Sequence, residues 1–163
     1  MLAERLSHPL TRVMAQETLG YVHLLRREPD AARRCLEKSI AQSREYGFQL
    51  SVSECRFLVG WALAQQGQSA DGIAQMREAL ATIGATGAGV ARQYYLCILA
   101  QSGEEREANE GLDLLERALA IAEAGAKYQL PELLRTKGEL LLRLSPRDNA
   151  ARELVPAGRV NGP

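Results

Sequence analysis

Small residues recur along this chain at long, nearly constant intervals, and that periodicity limits the folds open to it more than any other feature. Gly20, Gly60, Ala100 and Gly138 are separated by 40, 40 and 38 residues. A second series, Ala32, Gly72, Gly111 and Ala150, is separated by 40, 39 and 39. Four residues after each member of the second series stands a large apolar side chain (Leu36, Met76, Leu115, Leu154), and three further on a small one (Ser39, Ala79, Ala118, Ala157). Self-similarity at such a period is the mark of stacked repeats, in which each unit buries its apolar face only against its neighbours.

The stretch from Ser53 to Ile83 shows what one unit is. It reads as two amphipathic helices joined by Gln66-Gly67-Gln68, with Leu63, Ile73, Met76, Leu80 and Ile83 as an apolar stripe. Gly60 lies in mid-helix and Gly72 near the start of the next helix. Glycine inside a helix costs roughly 1 kcal/mol relative to alanine, so the pair predicts close helix–helix approach. Ser69 or Asp71 is positioned to cap the second helix. The unit is a helical hairpin, and the chain repeats it.

The order of small residue, turn, small residue, large apolar and small residue resembles the tetratricopeptide repeat. So do Leu19-Gly20, "VGWALAQQG" from Val59 to Gly67 and "EGLDLLERALAIAE" from Glu110 to Glu123. The period is longer than the ~34 residues of that repeat. More narrowly, "GWALAQQG", "YYLCILAQ", "EGLDLLERALAIAE" and "LPELLRTKGELLLRLSPRDNAA" are similar to the C-terminal helical array of bacterial predicted ATPases. Those ATPases are linked to class III adenylate or guanylate cyclases, or to transcriptional regulators. The resemblance covers most of residues 15 to 150 and implies an all-α solenoid with a right-handed superhelix. The cyclase and ATPase motifs of such proteins are absent here, so no catalysis is carried over with it.

Bulk properties narrow the class further. A chain of 163 residues is one domain in size and buries roughly 70% of its unfolded surface on folding. Hydrophobic residues make up 46% and aromatics only 5%, the balance of a stacked-helix protein. Twenty basic and twenty acidic residues cancel, which argues against a nucleic-acid partner. Cys35, Cys55 and Cys97 are odd in number and lack CxxC spacing, so neither a disulfide framework nor a zinc site is expected, and a reducing cytosol is. No run reaches the roughly eighteen apolar residues of a membrane span, and the N-terminus has no signal-peptide core. A cytoplasmic location is the expectation.

Taken in order, residues 1–9 read as a remnant broken at His8-Pro9, as though repeats or a further domain once preceded them. The hairpins then fall at about 10–47, 48–87, 88–126 and 127–150, three and a half in all, with an irregular tail at 151–163. Pro29 and Asp30 suit the first turn of a helix running to about Tyr46, which Gly47 ends. Ala100 and Gly111 are 11 residues apart where the other hairpins show 12, which predicts a shorter helix and a strained turn around Gly103. The last first-helix is expected from Leu130 to Leu144, stopped by Ser145-Pro146. Pro156, Gly158, Gly162 and Pro163 leave its partner incomplete. That exposes an apolar face including Leu134, Leu141 and Leu142, and predicts self-association or a missing continuation.

Residues fit for chemistry are few. His8 and His23 are the only histidines, and His23 occupies a place that this repeat fills with a core residue, so a hydrogen-bonded structural role outweighs a catalytic one. No histidine or acid recurs at a spacing that activates a cysteine. Glu104, Glu105 and Glu107 make an acidic turn better explained by solvation than by a metal. Gly84, Gly87 and Gly89 lack the order of a phosphate loop. No catalytic residue, metal or cofactor is expected, and the chain is read as no enzyme.

What remains is a surface. In tetratricopeptide-like stacks the first helices line a concave groove, which the resemblance places at Glu17 and Tyr21, Phe57 and Trp61, Cys97 and Gln101, and Arg135 and Glu139. Trp61 is the sole tryptophan, and aromatic anchors are enriched at interaction hot spots. Packing of Tyr21, Phe57 and Trp61 between hairpins weighs equally against that role. Lysine and asparagine, which peptide-tail clamps use, are missing from these places. The expected function is a non-catalytic interaction, scaffold or regulatory module of a bacterial signalling protein. Its partner would be a protein, a peptide or another domain of a larger polypeptide, held in the groove. A small-molecule sensor and a homo-oligomerising element, the latter through the uncapped C-terminal face, are the alternatives.

Overall fold

The computed structural model describes residues 8–85, 92–103, 108–125 and 127–144. Every regular element among them is helical, so the protein is all-α: α1 (Pro9–Leu25), α2 (Pro29–Glu45), α3 (Gln49–Gln65), α4 (Ser69–Ala85), α5 (Arg92–Ser102), α6 (Ala108–Ala124), a 3-10 turn (Lys127–Gln129) and α7 (Leu130–Leu144). The chain divides into two compact units, Met1–Gly89 and Val90–Pro163. The acidic turn at 104–107, the glycines at 87 and 89 and the tail from 145 lie outside the described residues.

In the first unit four helices of 17 residues each are joined by turns of one geometry. Each of the first three helices ends on a residue with positive φ: Arg27 at 57°, Gly47 at 75° and Gly67 at 87°. The N–H of that residue bonds back to Leu24, Arg44 or Ala64, at 2.9, 3.3 and 3.2 Å. The next N–H reaches His23, Ser43 or Leu63, at 2.9, 2.8 and 3.0 Å. These are Schellman closures, which satisfy the last carbonyls of a helix through one left-handed residue. The residue after it then opens the next helix, its carbonyl accepting from Ala32, Val52 or Gly72. Gln68 therefore holds the cap position of α4, ahead of the expected Ser69 and Asp71. Pro29 opens α2, and His8 caps α1 by accepting from the Thr11 N–H at 3.4 Å.

Arg27 stands where the other two turns place glycine. An L-residue in the left-handed region pays about 1–2 kcal/mol that glycine does not. Its turn carries an extra clasp instead: His23 Nδ1 lies 2.6 Å from Glu28 Oε2, and Arg26 Nε donates to Glu28 Oε1 at 2.9 Å. The His23 bond holds the Glu28 carboxyl below its ordinary range. Replacing Arg27 by glycine is expected to stabilise the protein by about 0.5–1 kcal/mol, read as a higher denaturant midpoint at unchanged slope. Gly67→Ala is expected to move the midpoint the other way.

The glycines inside helices are explained by contact. A Cβ on Gly60 would lie 2.7 Å from the Gly72 carbonyl oxygen and 2.9 Å from Met76 Cγ. One on Gly72 would strike the Gly60 oxygen and come within 2.7 Å of the Ala64 nitrogen. Backbone thus meets backbone where α3 crosses α4. At Gly20 the obstacle is a side chain, with Leu36 Cδ2 at 2.6 Å. Gly72→Ala is expected to cost about 1–3 kcal/mol despite alanine's better helix propensity, because only movement of a whole helix relieves the clash. Gly20→Ala is expected to cost less, since Leu36 can change rotamer. Equal losses at the two sites would contradict this account.

α3 packs against α1, α2 and α4, and nine of its residues are buried. The Ser39 hydroxyl donates to the Val13 carbonyl at 3.3 Å, tying α2 to α1. The Gln66 amide bridges Asp30 at 2.5 Å and Arg33 at 3.3 Å, tying the end of α3 to the start of α2. In the second unit α6 packs against α5 and α7, and α5 touches α7. Leu96, Leu115, Ala118, Leu133 and Leu140 form its interior. Lys137 pairs with Glu116 between α7 and α6. α5 spans 11 described residues against 17 in its neighbour α6, and α7 runs over the expected Leu130–Leu144.

Candidate interaction site

In the first unit Glu17 and Tyr21 lie half-buried on α1, and Phe57 and Trp61 lie on α3, which packs against it. Phe57 is fully buried and Trp61 is 6% exposed. Buried in this way, both follow the packing alternative rather than lining an open groove. The reason is the central position of α3, whose three neighbours enclose the faces that carry these two rings. What Glu17 meets on α3 is Glu54, with which it shares a hydrogen bond. Two carboxyl groups can bond only if one keeps its proton. Burial first, then the negative charge of Glu54, raise the Glu17 carboxyl to about 8.

In the second unit the structure draws Cys97, Gln101, Arg135 and Glu139 into one network. Gln101 Nε2 donates to Thr136 Oγ1 at 2.7 Å and to Glu132 Oε1 at 3.3 Å, and Cys97 Sγ lies 3.3 Å from the same Thr136 oxygen. Arg135 reaches Glu132 at 2.5 and 2.7 Å and Glu139 at 2.5 Å. These two carboxylates hold its guanidinium more firmly charged than usual. Cys97 is 2% exposed, so it too belongs to the packing rather than to a surface. The Gln101 bonds to Thr136 and Glu132 and the Cys97 contact with Thr136 fasten α5 to α7.

Neither buried thiol is set up for nucleophilic chemistry. Burial pushes Cys55 up to about 12 and Cys97 up to about 11, keeping both as neutral thiols. Among the described residues no three His, Cys, Asp or Glu side chains gather as a metal site would require, and no helix is long and apolar enough to cross a membrane.

Two exposed features stand out instead. On α1, Leu10, Met14 and Leu25 are 39, 56 and 60% exposed. At 100° per residue they fall within about 60° of one another, with Tyr21 between them, roughly a quarter turn from the buried line of Val13, Gly20 and Leu24. The second feature is a cleft of about 340 Å³ among α2, α3 and α4, floored by Ile40, Ala41 and Val59 and edged by Glu37, Arg44, Arg56 and Gln75. Glu54, Thr136 and this cleft were not foreseen from the sequence. Thr136 carries a usable signal, being a lone polar residue on the apolar line of Leu133 and Leu140.

No family model matches the chain, no curated protein matches it, and no solved structure does.

Proposed function

We propose that this chain is a non-catalytic protein-interaction module, a tetratricopeptide-like solenoid of right-handed twist. We further propose that it serves as the regulatory arm of a bacterial signalling polypeptide. The observation that carries the reading is the apolar stripe of Leu10, Met14 and Leu25 on α1, which no described element covers to the extent that Val13 and Leu24 are covered. Exposed apolar side chains aligned along one helix mark contact sites more often than scattered ones do. Tyr21 lies within the stripe and Glu17 borders it, so both stay in the proposed contact, while Phe57 and Trp61 belong to the packing of the same unit and Cys97 to that of the second. Gln101, Arg135 and Glu139 keep a partner-facing role only through whatever surface their network leaves.

A photo-reactive residue at position 14 tests this, with the exposed Glu45 of α2 as control position, in extract of the source cell. A discrete foreign polypeptide joined from position 14 and not from 45 is the expected result. Crosslinks to neither would remove the support. Leu134 and Leu144, 39 and 38% exposed on α7, favour the homo-oligomer as a second reading. Light scattering over a range of concentrations separates the two: self-assembly raises the mass with concentration, and a charge at Leu134 lowers it again.

A further inference from the structure

We infer that the cleft among α2, α3 and α4 is a docking groove for an acidic amphipathic helix of a partner protein, which seats apolar side chains on Ile40 and Ala41, above the buried Val59, and a carboxylate on Arg44. The inference rests on the reading of the chain as an interaction module but places a contact on a different face from the α1 stripe. Its geometry comes first. Glu37, Ile40, Ala41 and Arg44 follow one another at i, i+3, i+4 and i+7, so the cleft runs along the axis of α2 for about 10 Å. That length accommodates two side chains one turn apart on a facing helix, the usual anchors when a helix lies in a groove. Its volume of about 340 Å³ stands at the low end of small-molecule pockets and is open to an elongated occupant.

Charge selects the chemistry of that occupant. Of the three charged side chains around the cleft, Glu37 is held by Arg33 at 2.8 Å, and Arg56 is held by Glu78 through two bonds of 3.0 and 3.2 Å. Arg44 makes no side-chain ion pair or hydrogen bond among the described residues, which leaves one guanidinium beside an apolar floor. A guanidinium takes a carboxylate in a two-pronged bond, strongest where apolar surface excludes water. The floor is also preorganised: Gln75 Nε2 donates to the Arg56 carbonyl at 2.7 Å, locking α4 to α3 beneath it.

The test uses the full chain with labelled isoleucine and valine methyls and two blocked synthetic helices. Both carry leucines one turn apart, one flanked by glutamates and the other by lysines. The glutamate helix is expected to shift the Ile40 and Val59 methyl signals saturably and to bind about tenfold more tightly than the lysine helix. Arg44→Glu is expected to invert that order. Ala41→Trp, at an exposed position, fills the floor and is expected to abolish both shifts while leaving the far-UV circular dichroism unchanged. Absence of saturable shifts, or equal affinity for the two helices, overturns the proposal. With the methionine and leucine methyls labelled as well, shifts centred on Met14 and Leu25 overturn it too, while leaving the module reading in place.

Discussion

Trp61→Ala is expected to destabilise the protein by about 3–5 kcal/mol, the cost of emptying a fully packed aromatic site. In a chain of this size that lowers the melting temperature by roughly 10 °C or more. The basis is burial: Trp61 is 6% exposed on α3, flanked in sequence by Phe57, Leu58 and Ala62, none more than 3% exposed. Tyr21→Ala, half-buried on α1, removes less packing and is expected to cost well under half as much. The two substitutions separate a support residue from a contact residue. As the only tryptophan, Trp61 also reports on itself: native emission is expected to be blue-shifted and poorly quenched by added iodide, and both properties should vanish on unfolding. A Trp61→Ala protein with an unchanged denaturant midpoint would return this ring to the surface of a groove.

Much of the helical framework is legible in the residues themselves, because its determinants are local. Pro29, Gly47 and Gly67 mark helix ends through fixed φ, the missing N–H or freedom at positive φ, and Gly60 and Gly72 predict close approach because a helix does not otherwise tolerate them. Arg27 escapes this logic: it takes the same left-handed turn without the residue that announces it. The site was harder, and the groove expected from the resemblance failed at Phe57, Trp61 and Cys97 for one reason. Between Phe57 and Ala62, and again between Tyr95 and Ala100, buried residues are consecutive and form no stripe. A helix apolar on every side is a central one. A rule that picks one face of each helix mislabels it. The contacts of Thr136 with Cys97 and of Glu17 with Glu54 join residues 39 and 37 apart in the chain, a relation no local pattern encodes.

Glu17→Gln is expected to change markedly how stability depends on pH. In the folded protein the Glu17 carboxyl is raised from an ordinary 4.5 to about 8, by burial first and then by Glu54. The groups that act on this region from the packed helices are Glu54 and Cys55 of α3, with the Ser39 hydroxyl of α2 bonded to Cys55. No basic group is among the influences on Glu17. The sign follows from proton uptake. Between pH 4.5 and about 8 the folded chain keeps a proton that the unfolded chain has lost, so stability is fully present below 4.5 and declines as pH rises through that window. The steepest decline this allows is about 1.4 kcal/mol per pH unit, which across the window amounts to a few kcal/mol. Glutamine donates the same hydrogen bond to Glu54 with no proton to lose. Near pH 5 the variant and the parent should therefore unfold at similar denaturant concentrations, because both are neutral at position 17. Near pH 8.5 the variant should be the more stable by a few kcal/mol, an inversion of the usual penalty for altering a half-buried residue. A difference between the two proteins that stays constant across this range would show that the two carboxyl groups do not share a proton, and that α1 and α3 are held together by apolar packing alone.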